Sequence, residues 1–222
     1  TGYNHCVTMG RAGDVWGPYE KDPCNPIVTS APGNSYERHD PDHLKPKYFN
    51  PDTVLQKCGH GSYVELPNGE AYLVHIAARP FVPELRCTLG RETAIQKMTW
   101  TEDGWLRMAD GGNLAKAEVP KPSLPECPLA QTPDFDDFDG EELGCWYYAP
   151  RMMPKRFADV KARPGHVRIR GQESRTSLHK VSILARKLTS THARITTKME
   201  FCPEVHQHSA GLILYYDNMN YI

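Results

Sequence analysis

The Asn68-Gly69 pair constrains the fold of this chain more than any other feature of its sequence. It separates two runs in which apolar and polar residues alternate. Asn-Gly tolerates positive φ at both central positions of a tight turn, so the pattern predicts a β-hairpin. The prediction places His60 and Arg91 at the outer ends of two strands. One strand is preceded by Gly-His-Gly, and the other is followed by Leu-Gly-Arg-Glu-Thr. This arrangement indicates that polar side chains from both segments lie at a common site.

Short strands separated by turn signals recur along the chain, and no long segment has the 3.6-residue period of an amphipathic helix. This favours an all-β architecture. In the run from Tyr72 to Ala77, alternate residues are apolar on both faces. A strand that is apolar on both faces is expected in the interior of a sheet stacked between neighbours, as in a blade of a β-propeller.

A proline-rich segment divides the sequence. In residues 120–133, PKPSLPECPLAQTP, the prolines fix φ and remove backbone donors, so the segment should run extended rather than join a sheet. We therefore predict one β domain over residues 1–119, a linker over 120–133 and a second β domain over 134–222. The predicted strands of the second domain lie in HVRIRG, SILARKL, ARITTKMEF and GLILYY.

Charge and cysteine content exclude several classes of partner. Residues 1–133 carry 13 basic and 16 acidic side chains and residues 134–222 carry 13 and 11, so neither part has the surplus expected for nucleic acid or an anionic membrane. The seven cysteines are odd in number and lack a CxxC spacing, so most are expected to be free thiols that fill apolar space. Free thiols favour an intracellular setting, although the sequence leaves both a cytoplasmic and a secreted location open.

Several ordered blocks resemble glycoside hydrolase family 43, the β-xylosidase and α-L-arabinofuranosidase family. Four of them follow the family's catalytic domain: TGYNHCVTMGRAGDVWGPYE at 1–20, GHGSYVELPNGEAYLVHIAARP at 59–80, LGRETAIQ at 89–96 and DGWLRMADGGNL at 103–114. Three later blocks, DFDDFDGEELG, ARPGHVRIRG and SAGLILYYDNMNY, resemble the concanavalin A-like β-sandwich of the β-xylosidase branch. The resemblance implies the later blades of a five-bladed β-propeller followed by an incomplete β-sandwich.

The same resemblance implies an exo-acting, inverting β-xylosidase that removes pentose from xylo-oligosaccharides or arabinose-containing oligosaccharides. The alternatives are an α-L-arabinofuranosidase and a non-catalytic carbohydrate-binding β module. The family's general base, general acid and third carboxylate do not map onto this sequence, so we expect a fragment without catalytic residues that is inactive alone. Oligomeric state is left undetermined.

His60 and Arg91 are the pocket residues that the resemblance implies. His60 matches the histidine at the pocket floor, and Arg91 matches an arginine that would lie beside the catalytic carboxylates and donate to sugar hydroxyls. For His60 the alternative is a buried ring satisfied by backbone groups. For Arg91 it is a surface pair with Glu92, to which we assign a structural role because successive side chains on a strand point to opposite faces.

Weaker assignments complete the predicted site. Tyr3 or His5 could line the pocket rim, and His206 stands in a sandwich loop that resembles one capping the pocket, although the family usually has Phe there. Trp16, Trp100 and Trp105 are expected to pack inside blades. No cofactor is required, but the resemblance implies calcium or another divalent ion near the propeller axis, with His60 as an indirect contributor.

Overall fold

The computed structural model describes residues 5–30 and 49–222. The chain divides into two compact units, Thr1–Glu126 and Cys127–Ile222. The described residues form ten strands and a single 3-10 helix at Pro154–Arg156. The all-β class is therefore confirmed. Within the same described part, no helix is long and apolar enough to cross a membrane.

The described residues of the first unit form antiparallel sheets. Their strands are β1 (Cys6–Val7), β2 (Gly10–Arg11), β3 (Glu20–Lys21), β4 (Val28–Thr29), β5 (Gln56–Glu65), β6 (Ala71–Ala78), β7 (Glu92–Trp100) and β8 (Leu106–Met108). β1 pairs with β4 and β2 pairs with β3, while β5 to β8 follow one another in a four-stranded meander. A four-stranded meander is the repeating unit of a propeller blade.

β6 is an interior strand, as its two apolar faces predict. It is hydrogen-bonded to β5 on one side and to β7 on the other. Tyr72, Leu73, His75 and Ala77 are all buried, so side chains on both faces are covered. The core around this strand also includes Val28, Cys58 and Leu106. Burial on both faces explains why the run reads as almost continuously apolar.

The hairpin at Asn68-Gly69 forms, but with a different turn. Leu66 N–H donates to the Glu70 carbonyl at 2.8 Å and Gly69 N–H donates to the Leu66 carbonyl at 2.9 Å, which leaves a loop of Pro67, Asn68 and Gly69. Only Gly69 has positive φ, at 83°. Pro67 supplies the φ near −65° that a type I turn needs at its first central residue, and a glycine with positive φ then closes the loop.

Of the three tryptophans predicted to pack, Trp105 does so, with 3% of its surface exposed, and Trp100 is half-exposed. The packing role predicted for Trp16 is wrong because its side chain is 92% exposed. Trp16 lies in a turn in which its own N–H donates to the Asp14 carboxylate and Gly17 N–H donates to the Asp14 carbonyl, both at 2.9 Å. These bonds hold the turn in which the exposed indole lies.

The second unit contains one short sheet, β9 (Ala158–Asp159) paired antiparallel with β10 (Arg168–Ile169). Isolated bridges join Tyr148 to Ala185 and Tyr215 to Tyr221. Of the four strands predicted here, only HVRIRG contains a strand, and Leu212, Leu214 and Tyr216 in GLILYY are exposed. An alternating segment forms a strand only when a neighbour pairs with its backbone along its length.

The proline-rich segment contains the division between the units, which falls between Glu126 and Cys127. Its first residues pack on the first unit: Tyr72 OH donates to the Pro120 carbonyl at 3.3 Å, and Ser123 N–H donates to the Glu70 carboxylate at 2.8 Å. The three-part division at 119/120 and 133/134 stays a prediction. All seven cysteines are free, as predicted, but only Cys58 is buried, so filling apolar space is the exception among them.

Candidate sugar-binding site

The site is built on a distorted stretch of β5. The pairing of β5 with β6 shifts register twice, between Gln56 and Gly59 and again between Gly59 and Ser62. Lys57 and His60 both have positive φ, 57° and 58°. Such a conformation costs a non-glycine residue about 1–3 kcal/mol and persists only where the surroundings hold it. Bulges re-aim side chains, so His60 lies within β5 at a bulge rather than at the strand's outer end.

Glycine at position 59 allows His5 to lie directly against this backbone. A Cβ on Gly59 would lie 2.5 Å from Cγ of His5, closer than real Cβ atoms come to other atoms. Gly61 allows a similar approach, since a Cβ there would lie 2.9 Å from a methyl carbon of Val7. The Gly-His-Gly sequence therefore lets β1 and the residue before it close onto the bulged strand.

Arg91 lies just before β7, and its guanidinium reaches the same histidine. Its Nη1 is 3.5 Å from Nδ1 of His5, and that Nδ1 is 3.3 Å from the carbonyl oxygen of Lys57. Partial burial lowers the pKa of His5, the bond to Lys57 opposes the shift, and the positive charges of Arg91 and His60 add to it. The structure thus brings Arg91 into contact with His5, and His60 lies within range for its charge to act on the same ring.

Lys57 is a further member of this cluster that the sequence did not indicate. Partial burial, and secondarily the charge of Arg91, lower the pKa of Lys57 to about 8. Its ammonium therefore loses its proton at a lower pH than that of an ordinary lysine does. We call His5, Lys57, His60 and Arg91 the β5 cluster.

Glu92 takes the structural place predicted for it. Its two carboxylate oxygens accept bonds from Arg79, at 2.9 Å from Nε and 2.7 Å from Nη2. The pair joins the end of β6 to the start of β7. Arg91 and Glu92 are adjacent in sequence, but their side chains contact different residues: Arg91 contacts His5 and Glu92 binds Arg79.

Two further predicted residues, Tyr3 and His206, are not assigned to the β5 cluster. Tyr3 lies outside the described residues. His206 belongs to the second unit, where it is exposed, and its capping role stays a prediction. The ring of His208 accepts a bond from Glu204 N–H at 3.3 Å.

The resemblance implies a divalent metal ion, but the part of the chain that the structure describes contains no complete ligand set for one. There, no group of three or more His, Cys, Asp or Glu side chains is placed to hold an ion. Calcium prefers six to eight oxygen ligands, which His60 cannot supply. The divalent ion stays a prediction, and no chemical step below depends on it.

The β5 cluster can bind and orient a hydroxylated ligand and stabilise negative charge. Arg91 supplies donors that remain charged at any working pH. A neutral imidazole offers one donor and one acceptor, and the lysine can donate or, when neutral, accept. Hydroxyl groups and carboxylates are the natural partners of such a set.

Comparison with known proteins assigns both parts of the chain. Residues 1–106 match the model of glycosyl hydrolases family 43, and residues 135–222 match that of the beta xylosidase C-terminal concanavalin A-like domain. A curated beta-xylosidase of Bacillus subtilis is 37% identical over 100% of this chain and 40% of its own length. A non-reducing end alpha-L-arabinofuranosidase of Bacteroides ovatus is 29% identical over 100% of this chain and 38% of its own length.

The structure agrees with these matches. The crystal structure of a xylan beta-1,4-xylosidase from Bacillus halodurans C-125 superposes with a TM-score of 0.80 at 43% identity, covering 96% of this chain and 38% of that one. The chain thus spans about two fifths of the length of these relatives. The two family matches, together with the β-xylosidase relatives, show that the chain belongs to glycoside hydrolase family 43.

Proposed function

We propose that the protein to which this chain belongs is an exo-acting β-xylosidase that releases xylose from the non-reducing ends of xylo-oligosaccharides with inversion. The observation that supports the proposal is the contact of Arg91 with His5 beside the bulge of β5 that carries His60, in a chain of this family. A compact set of fixed hydrogen-bonding groups suits recognition of a single sugar unit at a chain end.

In this proposal the β5 cluster supports the chemistry rather than performing proton transfer. Inversion needs an acid and a base whose carboxyl groups lie about 6.5–9.5 Å apart. Arg91 would favour the ionised form of a neighbouring carboxylate, as an opposite charge within a few ångströms does. The partly buried Lys57 adds a second positive charge, while the lowered pKa of His5 keeps that ring neutral near pH 7.

The proposal is tested with p-nitrophenyl β-xyloside and xylobiose. The whole protein should hydrolyse both, and proton NMR should show α-xylose as the first anomer released. First appearance of the β-anomer would reject inversion, and no hydrolysis of either substrate would reject the xylosidase assignment. The 222-residue chain alone should give no turnover above background, because we assign no catalytic carboxylate to it.

An α-L-arabinofuranosidase is the second candidate, favoured by the similarity to the Bacteroides ovatus relative. The ratio of kcat/KM for p-nitrophenyl β-xyloside and p-nitrophenyl α-L-arabinofuranoside decides between the two. A ratio above one supports the xylosidase, and a ratio below one supports the arabinofuranosidase.

A non-catalytic carbohydrate-binding module is the third candidate. It requires the second unit to bind sugar while the whole protein hydrolyses neither aryl glycoside. Retention of the whole protein on xylan, with no hydrolysis of either substrate, would support it. No cofactor enters any of these proposals.

A further inference from the structure

We propose that His5 is a positioning residue of the sugar pocket, whose imidazole holds the bulge of β5 that carries His60 and sets the position of the Arg91 guanidinium. This role rests on the proposed function, which assigns the pocket to His60 and Arg91. It goes beyond that function because it makes the pocket geometry depend on a side chain from a different strand region.

The first support is the contact between His5 and Gly59. The imidazole lies so close to the strand that a single added methyl group would overlap it. Gly59 is buried between the two register shifts of β5. The ring therefore covers the strand at the point where its regular pairing is broken.

The second support is the strained backbone on either side of Gly59. Both positive-φ residues, Lys57 and His60, need neighbours that make this conformation the most stable one. Nδ1 of His5 lies 3.3 Å from the Lys57 carbonyl and can donate a hydrogen bond to it. Cys58 N–H donates to the Ser30 hydroxyl at 3.2 Å, so the residue after Lys57 is held by a separate bond.

The third support is the contact with Arg91. Nδ1 lies near one acceptor, the Lys57 carbonyl, and near one donor, Nη1 of Arg91. When Nδ1 carries the proton it binds the carbonyl, and when it does not it accepts from the guanidinium. A neutral ring can therefore hold either partner, whereas a protonated ring would repel Arg91. A single atom of His5, Nδ1, thus contacts both the bulge and Arg91.

A pair of substitutions separates ring packing from hydrogen bonding. His5→Phe keeps a flat ring against Gly59 but has no nitrogen, and His5→Asn loses the ring but keeps a polar group near the place of Nδ1. In the whole protein we expect His5→Phe to lower kcat/KM for p-nitrophenyl β-xyloside on the order of tenfold or more, since small misplacements of binding groups have large kinetic effects. His5→Asn should recover part of the loss.

Both variants are compared with the wild type by thermal unfolding. A His5→Phe protein with unchanged kcat/KM would overturn the proposal, and so would a His5→Asn protein that is folded but no more active than His5→Phe. Loss of activity in His5→Phe with unchanged thermal stability and partial rescue by His5→Asn would support it.

A second measurement uses the 222-residue chain and needs no catalytic activity. The His5 ring is titrated by NMR in the wild type, in Arg91→Gln and in the control Arg79→Gln. Arg91→Gln should raise the pKa of His5 because it removes one of the charges that lower it, whereas Arg79→Gln should leave the titration unchanged. Identical titrations in the wild type and Arg91→Gln would overturn the proposal. If the whole protein fails to cleave pentosides, the proposed function fails, while this titration still decides whether His5 and Arg91 are coupled.

Discussion

Arg107 on β8 binds the fully buried carboxylate of Asp22 through both terminal nitrogens of its guanidinium, with Nη2 at 2.8 Å from Oδ1. The same carboxylate accepts a bond from Cys24 N–H, also at 2.8 Å. The pair ties the outer strand of the four-stranded sheet to the segment that follows β3. The Asp22 carboxylate is removed from water and the Arg107 side chain is 21% exposed, so the buried carboxylate depends on Arg107 for stabilisation.

We expect Arg107→Leu to lower the free energy of unfolding by about 3–5 kcal/mol, because it leaves a buried carboxylate without its partner. Urea denaturation of the 222-residue chain measures this. The control is Glu20→Gln, which removes the charge of Glu20 from its pair with Arg11, whose side chains are 61% and 40% exposed, and leaves the other contacts of Arg11 in place. Exposed pairs contribute about 0–1 kcal/mol. Equal losses in the two variants would contradict the prediction.

Gly59→Ala should destabilise the first unit and disturb the β5 cluster. The new methyl group would lie 2.5 Å from Cγ of His5, so the ring or the strand must move. Forcing an extra methyl group into a packed site costs about 1–3 kcal/mol. Chemical denaturation gives the loss of stability, and NMR shifts of the His5 and His60 rings report the displacement.

Two variants test the cause of that effect. Gly13→Ala adds the same methyl group where nothing lies within 4 Å, so it should change stability little. Combining Gly59→Ala with His5→Ala removes the overlapping ring and should cost less than the sum of the two single substitutions. Simple additivity would show that the overlap with His5 is not the source of the loss.

Glu70 should make the first unit sensitive to acid. Its carboxylate accepts bonds from Lys97 Nζ at 2.7 Å, Asn68 Nδ2 at 2.9 Å and Ser123 N–H at 2.8 Å. These bonds, that of Lys97 foremost, lower the pKa of Glu70 from 4.5 to about 2. The unfolded chain therefore binds a proton at a higher pH than the folded chain. The stabilisation is complete above pH 4.5 and is lost as the pH falls toward 2.

The measurement compares wild type with Glu70→Gln in urea denaturation at several pH values. The wild type should exceed the variant in stability by a constant amount above about pH 5, and the difference should shrink below that. Glu126→Gln is the control. Both side chains of the Lys121–Glu126 pair are exposed, so the pair should contribute little to stability at any pH. A wild-type advantage that does not change between pH 6 and pH 3 would contradict the assignment.

Local patterns account for the parts of the fold that the sequence predicted. The alternation around Asn68-Gly69 predicts β5, β6 and the hairpin because the period of side chains along a strand is a property of neighbouring residues. The turn type was missed because Pro67, one residue earlier, sets the conformation. The prediction for Trp16 is wrong because an aromatic residue is more often buried than exposed, whereas this one lies in an exposed turn that Asp14 holds together.

The β5 cluster was only partly predictable. The prediction of His60 and Arg91 depends on resemblance to a family, whereas the sequence does not indicate Lys57, because its orientation depends on how β5 pairs with β6. A signal was present in the two glycines that flank His60, since glycine inside a strand often marks a bulge or a close approach of another group. What the sequence does not show is that the approaching group is the ring of His5, more than fifty residues earlier.

His75 should give the first unit a second pH dependence, at higher pH than that of Glu70. The ring is 2% exposed, with Nδ1 at 3.1 Å from the Ile76 carbonyl and Nε2 at 3.2 Å from Nε2 of Gln96. The ring is therefore neutral, donating from Nδ1 and accepting at Nε2. Burial lowers the pKa of His75 below 6.5, and its bond to Ile76 opposes the shift.

Because the unfolded chain binds a proton to His75 more readily than the folded chain does, stability is complete above pH 6.5 and falls as the pH drops below that value. His75→Leu should cost about 0.5–1.5 kcal/mol at pH 8 for each hydrogen bond lost. The difference in unfolding free energy between wild type and variant should then decrease from pH 7 to pH 5. Since His5 titrates in the same direction in both proteins, its contribution cancels in this difference. Parallel pH profiles for the two proteins would show that the buried ring is protonated as easily in the folded chain as in the unfolded one, contrary to its placement against Gln96.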